Sequence, residues 1–336
     1  MKIDIIHLEN NNGIKISLCT LGARLHELFV PDKYGASEDI ILGCENVQDY
    51  LDPNFKYFGT SVGPFANRIA NGQFSIDGKQ FHLNQNERSN CLHGGINAYE
   101  SEIWNIINSN KQQTVFRLNT SDVYNGFPGK VTVDIKYELN DDNELIISYK
   151  ATTDQKTHIN LTHHSYFNLS GKHSNSAMSH ELKINADSYL LVDELGIPTK
   201  QQNLNSDLSF DFREFKAIGR DIHNEHQQLE LTGGYDHNYI LNTQGSLEEI
   251  AAILRESSSG RQMHVYTTEP GLQFFSGNFD KTTTKGKNNQ SYETRTGICL
   301  EPQGFPNAPN RPDFPSTLVE PGQEYQSVTK FIFSNY

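Results

Sequence analysis

The chain has 336 residues, 35% hydrophobic and 21% charged, enough apolar material for a packed core and too much for a disordered segment. With 28 basic against 41 acidic side chains the formal net charge is −13, and the pI is about 5.4. That balance argues against a nucleic-acid binder working through phosphate contacts and against attraction to an anionic membrane surface, and leaves a neutral small molecule as the partner class.

The opening run Met1-Lys2-Ile3-Asp4-Ile5-Ile6-His7 is too polar for a signal-peptide apolar region. No stretch approaches the roughly 18 apolar residues of a transmembrane helix. Cys19, Cys44, Cys91 and Cys299 are scattered and form no Cys-x-x-Cys. A cytoplasmic protein with reduced thiols is the expectation.

The predicted elements are nearly all strands. Ile14, Ile16 and Leu18 alternate with Lys15 and Ser17. Phe74 and Ile76 precede Asp77-Gly78-Lys79, and Phe81 and Leu83 follow, which predicts a hairpin around Asp-Gly. Val131, Val133, Ile135, Tyr137 and Leu139 alternate, the polar cluster 140–143 turns, and Leu145, Ile147 and Tyr149 resume the period. Alternation of this kind predicts antiparallel sheets with one buried and one solvated face. Residues 247–255 hold good helix formers, yet an alternating segment, Met263-His264-Val265-Tyr266, follows closely, and a strand is the preferred reading. Residues 281–290 carry no hydrophobic side chain and read as an exposed loop. No Pro-, Gly- or Ser-rich linker and no repeat divides the chain. The expectation is a single all-β domain over 1–336, a large antiparallel β-sandwich with very little helix.

Five places could carry chemistry, and each also has an ordinary structural reading. Asn67-Arg68-Ile69 sets an arginine between aliphatic residues; its fork of donors suits hydroxyls or a carboxylate, or a structural ion pair. Leu92-His93-Gly94-Gly95 brings a histidine to a flexible backbone, or is simply a turn. Leu161-Thr162-His163-His164-Ser165-Tyr166-Phe167-Asn168-Leu169 surrounds a histidine pair with hydrogen-bonding side chains, and imidazole titrates near neutrality. Strand alternation would point His163 and His164 to opposite faces. Tyr235-Asp236-His237-Asn238 combines a carboxylate with aromatic rings, or is an Asx turn. Glu301 follows the apolar run 297–300 and precedes Pro302; partial burial would raise its pKa and suit it to act as a base. Metal-ligand spacings, nucleotide loops and the Gly-x-Ser-x-Gly elbow are missing from the sequence, so no metal and no cofactor is expected.

Taken in order, these segments resemble the aldose 1-epimerase (galactose mutarotase) family. The resemblance also includes Thr20-Leu21-Gly22-Ala23, Gly126-Phe127-Pro128-Gly129, residues 268–279 from Thr268-Glu269-Pro270-Gly271-Leu272-Gln273 to Gly277-Asn278-Phe279, and Leu300-Glu301-Pro302-Gln303. It implies a β-sandwich with an open sugar cleft, free aldohexoses such as galactose and glucose as substrates, and cofactor-free interconversion of their α and β anomers by a monomer or homodimer. Carried over residue by residue, it implies Glu301 as general base, His164 as general acid, His93 assisting at the ring oxygen, and Asn67, Arg68 and Asp236 binding sugar hydroxyls. Two positions depart from the family pattern: His163 stands where asparagine is common, and Pro64 where many members have arginine. From the residues alone, three rivals remain: a glycoside hydrolase using Asp236 and Glu301, a non-catalytic sugar-binding sandwich, and an epimerase of hexose phosphates. The last would favour an extra basic cluster, which the motifs lack.

Overall fold

In the computed structural model, which describes residues 2–171 and 176–336, the alternating segments pair as antiparallel sheets. The largest has nine strands, in the spatial order Asn105–Ser109, Gln113–Asn119, Val131–Leu139, Glu144–Thr153, Tyr325–Asn335, Arg261–Thr267, Ala252–Arg255, Glu181–Ile184 and Lys216–Ala217. Register follows the hydrophobic period. Ile135 lies opposite Tyr149, Tyr137 opposite Ile147, and Leu139 opposite Leu145, and all six are buried. The outward residues are polar, and Arg117 grips its cross-strand partner Asp134 through two 2.6 Å hydrogen bonds. A five-stranded sheet, ordered Pro198–Asn203, Ala186–Val192, Asp236–Leu241, Gly271–Phe275 and Cys299–Gln303, shares the same core cluster. The fold is therefore the expected all-β sandwich, and its one α-helix among the described residues is Gln227–Thr232.

The Asp-Gly hairpin forms as predicted between Gln73–Ile76 and Lys79–His82. Asp77 and Gly78 take φ of 51° and 79°, the paired positive angles of a turn whose twist matches its strands. All four cysteines are free and buried. Of residues 247–255, the second half is the preferred strand, Ala252–Arg255, and the first half is a turn. Glu181–Ile184 and Arg261–Thr267 flank that strand, so pairing overrides helix propensity.

Residues 281–290 form the expected loop, with 281, 283, 285, 288 and 289 exposed, but Lys287 turns inward. Lys287 is buried, its ammonium ion-paired with Asp39 and donating to the Ile41 carbonyl at 3.1 Å. The Tyr292 hydroxyl accepts the Lys287 N–H at 3.1 Å and donates to the Gly43 carbonyl at 2.7 Å. A charge pair, which hydropathy does not register, draws Lys287 inward.

One buried arginine organises the ground beside the candidate site. Arg24 has no measurable exposure, and its guanidinium donates to five main-chain carbonyls: Leu21, Phe55, Lys56, Phe58 and Glu100. It also lies 4.1 Å over the Tyr50 ring. Five donors in a planar fork meet five acceptors, which offsets the cost of burying the charge. The carbonyls belong mostly to the 55–58 turn, which carries Tyr57.

Removing one member of the Lys287–Asp39 pair leaves a buried charge without its counter-ion. Lys287→Ala should therefore lower unfolding stability by about 3–5 kcal/mol. Urea denaturation of the variant beside the parent measures this; a loss below about 1 kcal/mol would mean the pair is solvated.

Candidate active site

The five-stranded sheet uses its two faces for different ends. In Asp236–Leu241, Gly271–Phe275 and Cys299–Gln303, one alternate set (Tyr239, Leu241, Leu272, Phe274, Leu300) enters the core. The other set is Asp236, Asn238, Gln273, Phe275, Cys299, Glu301 and Gln303. Register places Asn238 opposite Gln273, and Gln273 opposite Glu301. A row of carboxylate and amide groups thus floors one side of the sheet. The 61–69, 91–95 and 159–168 segments cover it, tied together by pairing of Thr162–His163 with Ser61–Val62 and of Arg68–Ile69 with Cys91–Leu92.

His93 is held by main chain. Its N–H donates to the Asn67 carbonyl at 3.0 Å, and its ring Nδ1 accepts the Asn67 N–H at 3.1 Å. A peptide N–H can only donate, so Nδ1 supplies the lone pair and the proton of the neutral ring sits on Nε2. Burial, followed by the His164, Arg68 and Lys56 charges, drives the His93 pKa well below its ordinary value. His93 is therefore a fixed neutral donor. The turn that holds it needs glycine: Gly94 has φ +86°, and a Cβ there would lie 2.2 Å from the Gly63 carbonyl oxygen.

His164 lies just beyond the short strand Thr162–His163. Its main chain is anchored by its N–H donating to the Thr60 carbonyl and its carbonyl accepting the Gly59 N–H, both at 2.9 Å. Tyr57 and Tyr166 stack on its ring at 5.9 and 5.0 Å, and the His93 ring meets it perpendicularly at 5.3 Å. Its Nε2 is 3.7 Å from Glu301 Oε1, and Cys299 Sγ is 3.4 Å from its Nδ1. Burial lowers the His164 pKa to about 4, opposed by a bond to main-chain carbonyl and assisted by Arg24. Glu301 is 2% exposed. Burial first and the Asp236 carboxylate second raise its pKa well above the ordinary value, against the pull of Arg68. Both shifts oppose charge separation, so at rest the pair's proton sits on the carboxyl and not on the imidazole. Glu301 Oε2 and Gln273 Oε1 are buried without a protein hydrogen-bond partner, acceptors left over for a ligand.

His163 points elsewhere, as alternation predicts. Its Nδ1 is 3.0 Å from Ser165 Oγ, and its ring meets Tyr137 edge-on. Burial, with the His164 and Arg24 charges, holds its pKa near 3.

Arg68 and Asp236 meet across the floor. Arg68 Nη1 is 3.6 Å from Asp236 Oδ2, and Arg68 Nε is 3.4 Å from Glu87 Oε2. Asp236 also accepts from Gln273 Nε2 at 2.6 Å. Gly196, with φ +74°, lies against the guanidinium; a Cβ there would be 2.8 Å from Arg68 Cζ. Asn67 takes φ +64°, and its side-chain oxygen accepts the Arg68 N–H at 2.9 Å.

The sequence model described as aldose 1-epimerase matches residues 4–331. The chain belongs to the aldose 1-epimerase family. It is 40% identical over 323 residues to the human protein named galactose mutarotase, covering 96% of this chain and 91% of the human one. It is 37% identical over 331 residues to aldose 1-epimerase of Escherichia coli K12, covering 98% and 94%. Among solved structures, an aldose epimerase homologue from C. elegans superposes with TM-score 0.91 at 28% identity over 99% of both chains. A galactose 1-epimerase from Lactobacillus acidophilus gives 0.85 at 26% identity, covering 100% of this chain and 99% of that one. Members of this family are isomerases acting on carbohydrates. No helix among the described residues is long and apolar enough to cross a membrane.

In this aldose 1-epimerase family member, the structure brings together every residue singled out from sequence: His93, His164 and Glu301 in one group, Arg68 and Asp236 in another, with Asn67 behind both. Sequence reasoning missed Tyr57, Glu87, Gln273 and Cys299. Cys299 was within reach, since position i−2 from Glu301 shares its face; the others depend on pairings made far along the chain.

His93, His164 and Glu301 each offer one ligand-type atom, all within 4.8 Å of one another, a set that superficially suits a metal. The tautomer argues otherwise. Nε2 of His93 carries a proton while Asn67 holds Nδ1, so it has no lone pair for a cation. Dialysis against EDTA is accordingly expected to leave epimerase activity unchanged. Activity lost on dialysis and restored by Zn²⁺ would require His93 to have abandoned its Asn67 bond.

Proposed function

We propose that this protein is a mutarotase that interconverts the α and β anomers of free aldohexoses such as galactose and glucose by acid–base ring opening. The observation that carries this reading is the buried pair, His164 Nε2 at 3.7 Å from Glu301 Oε1, beside the fixed donor His93. Sugar binding moves the pair's proton from Glu301 to His164 Nε2; the freed carboxylate then takes the proton of the C1 hydroxyl while His164 gives its own to the ring oxygen. The ring opens to the aldehyde, rotation about C1–C2 presents the other carbonyl face, and reverse transfers close it. His93, neutral with its proton on Nε2, donates to the same ring oxygen without titrating. Arg68 and Asp236 bind hydroxyls away from the moving protons. No electrons change hands, so no redox cofactor enters. A group as strong as an imidazolium with pKa near 4 suits a weakly basic ether oxygen, and each positioned acid or base contributes about 10²–10⁴-fold.

The paired-carboxylate alternative finds less support. Asp236 is occupied by Arg68 and Gln273, whereas Glu301 faces His164. Polarimetry on freshly dissolved α-D-glucose and α-D-galactose tests the proposal. No acceleration with either sugar, or release of reducing sugar from a glycoside, would overturn it.

Glu301→Gln keeps the size and removes the base, so kcat should fall about 10²-fold or more with the sugar still bound. His164→Asn should behave alike and His163→Asn should not; the opposite ranking of the two histidines would reassign the acid. Arg68→Ala and Asp236→Ala should instead raise KM with kcat nearly kept, the mark of lost uniform binding.

The pH profile should be a bell, because turnover needs one proton on the Glu301–His164 pair. Burial inverts the usual assignment of its limbs. As pH falls through about 4, His164 gains a second proton for the pair and activity drops. The alkaline limb is loss of the pair's last proton, at the raised value set mainly by buried Glu301. Initial rates across pH check this; an acid limb near pH 6.5 would show that His164 is not buried away from water in solution.

A further inference from the structure

For His164 to pass protons at Nε2, that nitrogen must alternate between a lone pair and an N–H. The ring's other proton must then stay on Nδ1 throughout, because a neutral imidazole carries only one. What stands at Nδ1 therefore decides whether the residue can work. Tyr57 and Tyr166 stack on the ring, and neighbouring rings of His93 and Phe275 meet it edge-on. The side-chain atom at Nδ1 is Cys299 Sγ, 3.4 Å away.

We propose that Cys299 is a positioning residue for His164: its sulfur accepts the Nδ1–H and keeps the working lone pair on Nε2, beside Glu301. This deepens the acid–base reading above and rests on it. Cys299 and Glu301 are two apart on the Cys299–Gln303 strand and share its face. One strand thus touches the ring at both nitrogens, sulfur at Nδ1 and carboxyl at Nε2, and the two-residue strand repeat sets the ring's orientation. Burial holds the Cys299 thiol in its neutral form.

A neutral, weak acceptor suits the chemistry. In hydrolase triads a carboxylate takes the Nδ1–H and stabilises the imidazolium, which makes the ring a better base and a poorer acid. Sulfur orients the ring with little added stabilisation of its charged form, and His164 stays acidic enough for an ether oxygen. The titratable or charged groups around the ring are Glu301 and Cys299 from the 299–303 strand, His93 from its turn, Tyr57 from the 55–58 turn, Tyr166 and His163 from its own segment, and Arg24 behind. Of these, Cys299 is the one hydrogen-bonded to Nδ1.

The test is ¹⁵N NMR of histidine-labelled protein without sugar near pH 7, with polarimetry alongside. His164 should show its proton on Nδ1, and His93 the opposite tautomer, an internal control. Cys299→Ser should keep the His164 tautomer and most of kcat. Cys299→Ala should move protons onto Nε2 and lower kcat roughly 10–100-fold at unchanged KM, the scale typical of lost outer-sphere partners. A wild-type His164 protonated on Nε2 overturns the proposal even if no variant folds. So does a Cys299→Ala protein with the wild-type tautomer and kcat. Because the tautomer is read without substrate, a wild type inactive on both sugars would sink the mutarotase reading alone.

Discussion

Everything in the cleft depends on the two-residue repeat of a β-strand. In Cys299–Gln303, Leu300 enters the core while Cys299, Glu301 and Gln303 face the cleft. The same five-stranded sheet is therefore core wall on one side and chemical floor on the other. A slip of one residue would put a carboxylate into the hydrophobic cluster and a leucine beside the histidines, so the register is over-determined. This is how a site of buried, unneutralised polar groups becomes tolerable: the apolar face pins the strand, and the polar face has no freedom to relax away.

The two central imidazoles show how environment divides labour between identical side chains. Both are buried, and burial disfavours the charge of each. They differ in what meets Nδ1. A peptide N–H fixes His93 as a donor that cannot exchange, while a thiol sulfur leaves the Nε2 of His164 free to take and give. Glu301 completes the set by holding the resting proton, so the pair at rest is uncharged. In the proposed mechanism, charge separates only when the hydroxyl groups of a neutral sugar arrive to stabilise it.

How much of this could be read from the chain varies with the range of the forces involved. The strands at 131–139 and 144–153 and the Asp-Gly hairpin were legible because period and turn chemistry are local. The opposite facing of His163 and His164 followed from the same alternation, and the family resemblance pointed to His93, Arg68, Asp236 and Glu301 in their order. Three features were hidden. Lys287 looked solvated because its ion pair with Asp39, some 250 positions away, leaves no hydropathic trace. The grip of the Asn67 main chain on His93 was hidden too, because peptide groups are the same at every position. Gln273 and Tyr57 reach the site through strand pairing and through the Arg24 cage, neither of which any short window contains.

That cage has a consequence for how the enzyme meets its surroundings. A guanidinium and main-chain carbonyls do not titrate in any ordinary range, and Arg24 is sealed from dissolved ions. The turn bearing Tyr57 is therefore fastened by contacts that neither acidity nor ionic strength can loosen. Changes in the medium reach the proton inventory of Glu301 and His164 while leaving in place the walls that hold them.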